Sequence, residues 1–166
     1  MSRTKPLILG LGNPILTDDR VGLEVARALH ERQPAGSTEF VEAYVGGVEL
    51  LNVLEGWKRV VLIDSVEPGR QKPGELKEIP LEDLATKYTP ITPHNAGLVH
   101  CLGLGRACGM EMPEDLVVFT IGVKESFVFS ESCTEVVAKT IPENVEHIHQ
   151  RLFGSEGRWR LALDRG

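Results

Sequence analysis

Aromatic residues make up only 5% of this 166-residue chain: two Trp, two Tyr and five Phe. A stacking platform for nucleic-acid bases is therefore not expected, and Trp57, Trp159, Phe127 and Phe129 read as packing or peptide-contact groups. Basic residues are also in deficit, with 18 Lys and Arg against 24 Asp and Glu, a formal net charge of -6. That balance argues against a nucleic-acid or anionic-lipid partner. Cysteine is sparse and odd in number, and Cys101, Cys108 and Cys133 lack close metal-binding spacing. A disulfide framework is not expected, and a reducing, cytoplasmic location fits better. No apolar run approaches the length needed to cross a membrane, and the short one near the N-terminus lacks signal-peptide character.

What is present is strand and helix in alternation. Leu7 to Leu11 reads as a first, central strand, followed by an apolar-periodic helix from Arg20 to Glu31. Thr38 to Val45 reads as a second strand and Val48 to Leu54 as a short helix. The continuous apolar run of Val60, Val61, Leu62 and Ile63 suits a parallel strand covered on both faces. Glu75 to Ile79 reads as an edge strand, His94 to Cys108 as a helix and Leu116 to Ile121 as a fourth parallel strand. A last helix spans Thr134 to Phe153, which Pro142 should kink or split. The expected fold is a three-layer α/β domain over residues 1–153, a mostly parallel twisted sheet with helices on both faces. A tail over 154–166 follows it.

Ligands of such folds sit outside the carboxyl ends of the strands. Two acids, Asp18 and Asp19, follow the first strand; Asp64 ends a second apolar run; His94 opens a third candidate helix. Asp18 reads as the helix cap, which leaves Asp19 to face the cleft. Asp64 taken alone could simply close its strand, and His94 alone could cap or pack. Together Asp19, Asp64 and His94 form a carboxylate, carboxylate, imidazole set suited to Zn²⁺, Ni²⁺ or Mn²⁺. Other chemistries lack their residues. Ile15 stands where a dinucleotide fingerprint needs a third glycine, and no phosphate-loop pattern occurs. Ser126 and Ser130 have no GxSxG context, His147 and His149 are two apart in a helix and do not face each other, and His100 and His30 read as structural and surface residues.

The ordered motifs resemble one family, the nickel-iron hydrogenase maturation endopeptidases. They are Gly10-Leu11-Gly12-Asn13-Pro14-Ile15-Leu16-Thr17-Asp18-Asp19 with Gly22, Leu62-Ile63-Asp64, Thr92-Pro93-His94-Asn95-Ala96-Gly97-Leu98, and Gly122-Val123-Lys124-Glu125-Ser126 followed by Phe129. The resemblance covers roughly residues 6 to 153. It implies an aspartyl-type, nickel-recognising endopeptidase that removes the C-terminal extension of a hydrogenase large-subunit precursor. It implies that Asp19, Asp64 and His94 contact nickel supplied by that precursor, so that the isolated monomer is empty or holds another divalent ion. One departure is that Glu42-Ala43-Tyr44-Val45-Gly46-Gly47 stands where many members carry Asp-Gly-Gly, so the acid is missing or displaced to Glu42. Peptidyl-tRNA hydrolase shares the Gly-Leu-Gly-Asn-Pro opening but diverges after it. A non-catalytic nucleotide- or protein-binding module on the same scaffold is the other alternative.

Overall fold

The computed structural model describes residues 3–86 and 97–160. Five strands form one sheet in the order β2-β1-β3-β5-β4. They are β1 (Leu7–Leu11), β2 (Glu39–Ala43), β3 (Arg59–Val66), β4 (Leu76–Ile79) and β5 (Asp115–Gly122). β1, β2, β3 and β5 run parallel, and β4 closes one edge antiparallel to β5. The helices are α1 (Val21–Arg32), α2 (Glu49–Leu54), α3 (Leu81–Thr86), α4 (Leu98–Ala107), α5 (Glu135–Ala138) and α6 (Ile141–Leu152). The three-layer α/β expectation holds.

The layers follow from strand periodicity, because successive side chains point to opposite faces. Ile8, Val61, Ile63, Phe119 and Ile121 face one way and pack under α1 and α6 through Val25, Leu29, Val145 and Ile148. Leu7, Leu9, Val60, Leu62 and Val118 face the other way, under Leu50 and Leu54 of α2 and Leu98 and Leu102 of α4. A continuous apolar run is what a doubly covered strand requires, since both parities are buried.

Three expectations need correction. The middle strand is β3, with β1 beside it. β3 also continues three residues past its apolar run, so Asp64 lies within the strand, in register with Thr120 of β5. His30 is half-buried rather than a surface residue, stacked on Phe40 and hydrogen-bonded to Thr38. Pro142 does split the last helical stretch: it sits in the first turn of α6, where a missing N–H costs no intrahelical bond. Beyond α6, Trp159 is buried against Phe153, and its indole N–H donates to Asp115 at 2.6 Å.

Candidate functional site

The strand order changes direction between β1 and β3: the chain leaves β1 for β2 on one side, then crosses back to β3 on the other. In open α/β sheets such a switch point, at the carboxyl ends of the strands, is where ligands generally bind. Asp19 follows β1 on the 3-10 turn Thr17–Arg20 that leads into α1, and Asp64 lies near the carboxyl end of β3. Two of the three residues singled out in the sequence thus converge on the same switch point. His94, the third, lies outside the described residues, as does the start of the segment that leads into α4. Among the described residues no group of three His, Cys, Asp or Glu is arranged to hold a metal ion.

Glycines allow the convergence. A Cβ on Gly22 would stand 2.5 Å from the Leu11 carbonyl oxygen, 2.6 Å from that of Ile63 and 3.0 Å from the Asp64 Cα. The first turn of α1 therefore lies directly on the ends of β1 and β3, closer than any side chain permits. Gly12 has φ +149°, and a Cβ there would meet the Asp19 carbonyl oxygen at 2.1 Å. The chain turns back over itself at that point, which brings Asp19 beside the sheet edge.

The two acids are joined through one residue. The Ser65 hydroxyl donates to Asp19 Oδ1 at 2.7 Å, and the Ser65 backbone N–H donates to Asp64 Oδ1 at 2.8 Å. Asp64 is fully buried and Asp19 nearly so. Buried carboxylates are held by hydrogen bonds or by cations, and a neighbouring pair at the carboxyl end of the sheet has the chemistry for both proton transfer and cation contact.

Asp18 has a different task from the one its sequence position suggested. It does not cap α1, whose preceding residue, Arg20, makes no side-chain cap bond. Its fully buried carboxylate instead accepts the backbone N–H groups of Lys124, Glu125 and Thr134, at 2.9, 3.0 and 2.7 Å. The Thr134 hydroxyl donates to it as well. This ties the long connection after β5 to the turn bearing Asp19. Backbone bonds complete the strap: Thr17 N–H donates to Val128, Ser130 N–H donates to Ile15 at 3.0 Å, and Leu16 bridges Phe129. Nothing in the spacing of these residues signals the arrangement, because the partners are more than 100 positions apart.

Ile15, Phe127, Val128 and Phe129, all on this strap and the loop it holds, are exposed, the two Phe by more than three-quarters of their surface. Tyr44 and Val48, on the connection after β2, are exposed at the same carboxyl edge of the sheet. Glu42 pairs with Arg27 of α1 and accepts the Tyr44 hydroxyl, so its carboxylate is tied to that helix.

Other nucleophiles fit poorly. The Ser130 hydroxyl is taken up by the Ser132 carbonyl. Burial, with the Glu24 and Asp18 carboxylates nearby, pushes the Cys133 thiol up to about 12, which leaves essentially no thiolate at neutral pH. In the native protein at pH 8, an alkylating reagent should modify exposed Cys108 readily and leave Cys133 intact, as peptide mapping would read. Fast labelling of Cys133 would show that the strap opens. A recess of about 450 Å³ at the opposite, amino edge is lined by Arg3, Lys5, Glu39 and Trp57. Its charges are engaged, Lys5 with Glu39 and Arg3 over the Trp57 ring, so it offers no acid–base pair.

The comparisons agree with this architecture. The family model described as hydrogenase maturation protease, HycI, matches residues 23–151. The hydrogenase 2 maturation protease of Escherichia coli is 27% identical over 144 residues, which cover 86% of this chain and 87% of that protein. Among solved structures, the hydrogenase maturating endopeptidase HybD from Escherichia coli superposes with a TM-score of 0.72 at 26% identity, covering 87% of this chain and 90% of that one. The nickel-iron hydrogenase maturation protease HybD from Thermococcus kodakarensis gives a TM-score of 0.67 at 25% identity, covering 89% and 98%. With two buried acids at the β1–β3 switch and a family match over most of its length, this chain belongs to the HycI hydrogenase maturation protease family.

Proposed function

We propose that this protein is an endopeptidase that removes the C-terminal extension of a nickel-iron hydrogenase large-subunit precursor after nickel has been inserted. The observation that carries the reading is the buried Asp19–Asp64 pair, held through Ser65 at the strand-order switch of a maturation-protease fold. Asp19, Asp64 and His94 are the groups assigned to contact the precursor's nickel. The metal is then part of the substrate, and it fixes the scissile bond beside the acids.

Cleavage adds water across the scissile amide: oxygen to the carbonyl carbon, and a proton to the departing amine. A carboxylate of the pair is chemically suited to take the proton from water and return it to the nitrogen. The exposed Ile15, Phe127, Val128 and Phe129 border the turn that carries Asp19, and they supply apolar contact for a protein substrate rather than for a small solute. A cytoplasmic location and a monomeric enzyme belong to the same reading. No helix among the described residues is long and apolar enough to cross a membrane.

The test is cleavage of a purified precursor with and without nickel, followed by the mass of the released peptide. The nickel-loaded form should be cut and the metal-free form should remain intact. Equal cutting of both would remove nickel recognition from the proposal; cutting of neither would remove the substrate.

A further inference from the structure

β3 is apolar from Val60 to Ile63 and again at Val66, yet it carries a serine that is 3% exposed next to Asp64. A hydroxyl in that setting costs desolvation unless it is bonded, and packing alone would be met by a small apolar side chain. Alternation along the strand turns the Asp64 side chain to the face of Leu62 and that of Ser65 to the face of Ile63, beneath α1. Asp19, on the turn before α1, meets the side chain of Ser65, while Asp64 lies on the neighbouring position of the strand. Ser65 touches both: its hydroxyl reaches Asp19 Oδ1 and its amide reaches Asp64 Oδ1. The amide bond is available to any residue at this position. The hydroxyl bond is not.

We infer that Ser65 is a positioning residue, which fixes the rotation of the Asp19 carboxylate relative to Asp64 so that both address the substrate's metal together. This rests on the proposed role of the two acids. A carboxylate held by an outer hydrogen bond presents one oxygen lone pair in a set direction, and loss of such outer partners typically lowers metal affinity or activity by about 10–100-fold. Parallel pairing of Ser65 with Ile121 of β5 keeps the donor from moving with the loops.

The experiment compares wild type, Ser65→Ala, Ser65→Thr, Asp19→Asn and Ser65→Ala/Asp19→Asn. It measures cleavage of nickel-loaded precursor, and binding of loaded and metal-free precursor. Ser65→Ala should lower kcat/KM by about 10–100-fold. It should weaken binding of the loaded form while leaving binding of the metal-free form unchanged; a general folding defect would weaken both. Ser65→Thr, which keeps the hydroxyl and suits a strand, should restore most of the loss. In the Asp19→Asn background Ser65→Ala should add little, because its effect passes through Asp19. If Ser65→Ala cuts normally while Asp19→Asn is inactive, the inference fails and the acid assignment stands. If Asp19→Asn cuts normally, both fail. Should Ser65→Ala not fold, Ser65→Cys, of similar volume but a weak donor, takes its place; if that variant also unfolds, Ser65 is structural and the inference is overturned.

Discussion

Asp64→Asn and Asp19→Asn should each lower kcat/KM for nickel-loaded precursor by at least about 10²-fold, equivalent to about 2.7 kcal/mol of transition-state stabilisation. The substitution keeps volume and shape, and the amide oxygen can still accept the bond that Ser65 donates to each acid. What it removes is the negative charge and the basic oxygen. Both are needed to contact a cation and to carry a proton between water and a leaving amine. Circular dichroism should show folded proteins, so the loss belongs to the chemistry. The double variant should be little worse than the poorer single one, since groups that act on one reacting centre are strongly non-additive. Wild-type cleavage by either single variant would move the active site elsewhere in the fold.

Asp18→Ala should be strongly destabilising, at about 3–5 kcal/mol. Three backbone N–H groups and a hydroxyl converge on this fully buried carboxylate. Hydrogen bonds to a charged acceptor contribute about 1.5–3 kcal/mol each, and an orphaned donor costs about 1–3 kcal/mol unless water replaces the partner. Some relaxation of the strap brings the sum below full additivity. For a domain of this size the loss corresponds to a fall in Tm on the order of 10 °C. Thermal unfolding reads the global effect. Hydrogen exchange reads the local one, with protection lost first over residues 124–134. Asp18→Asn should be intermediate, since it retains one acceptor oxygen and sets an amide against the remaining donors. A Tm unchanged in Asp18→Ala would mean that the strap is held by its remaining bonds to Ile15, to Thr17 and to the backbone of residue 18.

Much of the fold is legible in the sequence because it is set by local periodicity. The doubled parity of Val60 to Ile63 marks a strand covered on both faces, and Val137, Val145, Ile148 and Leu152 mark a helical stripe that packs where the pattern places it. Pro142 acts locally, so its effect is readable too. The strand order is not readable: which of β1 and β3 lies in the middle depends on crossovers and packing between layers, not on either strand's composition. Strand ends carry the same limitation. β3 runs on through Asp64 and Ser65 because β5 offers a partner for every residue to Gly122, a contact more than 50 positions away.

The site divides along the same line. By itself, the sequence determined residue chemistry and motif order: two acids at the outgoing ends of apolar strands, glycines around the first turn, and a histidine before a helix. Those features sufficed for the fold class and the family, since both are written in short windows. Only the tertiary structure decided that Asp18 clamps the strap instead of capping the helix, and that Ser65 links Asp19 to Asp64. Two neighbouring acids do not show by their spacing which groups they will bind. They are sorted by the burial and hydrogen-bond donors that distant segments bring to them, and those exist only once the chain has closed around the switch between β1 and β3.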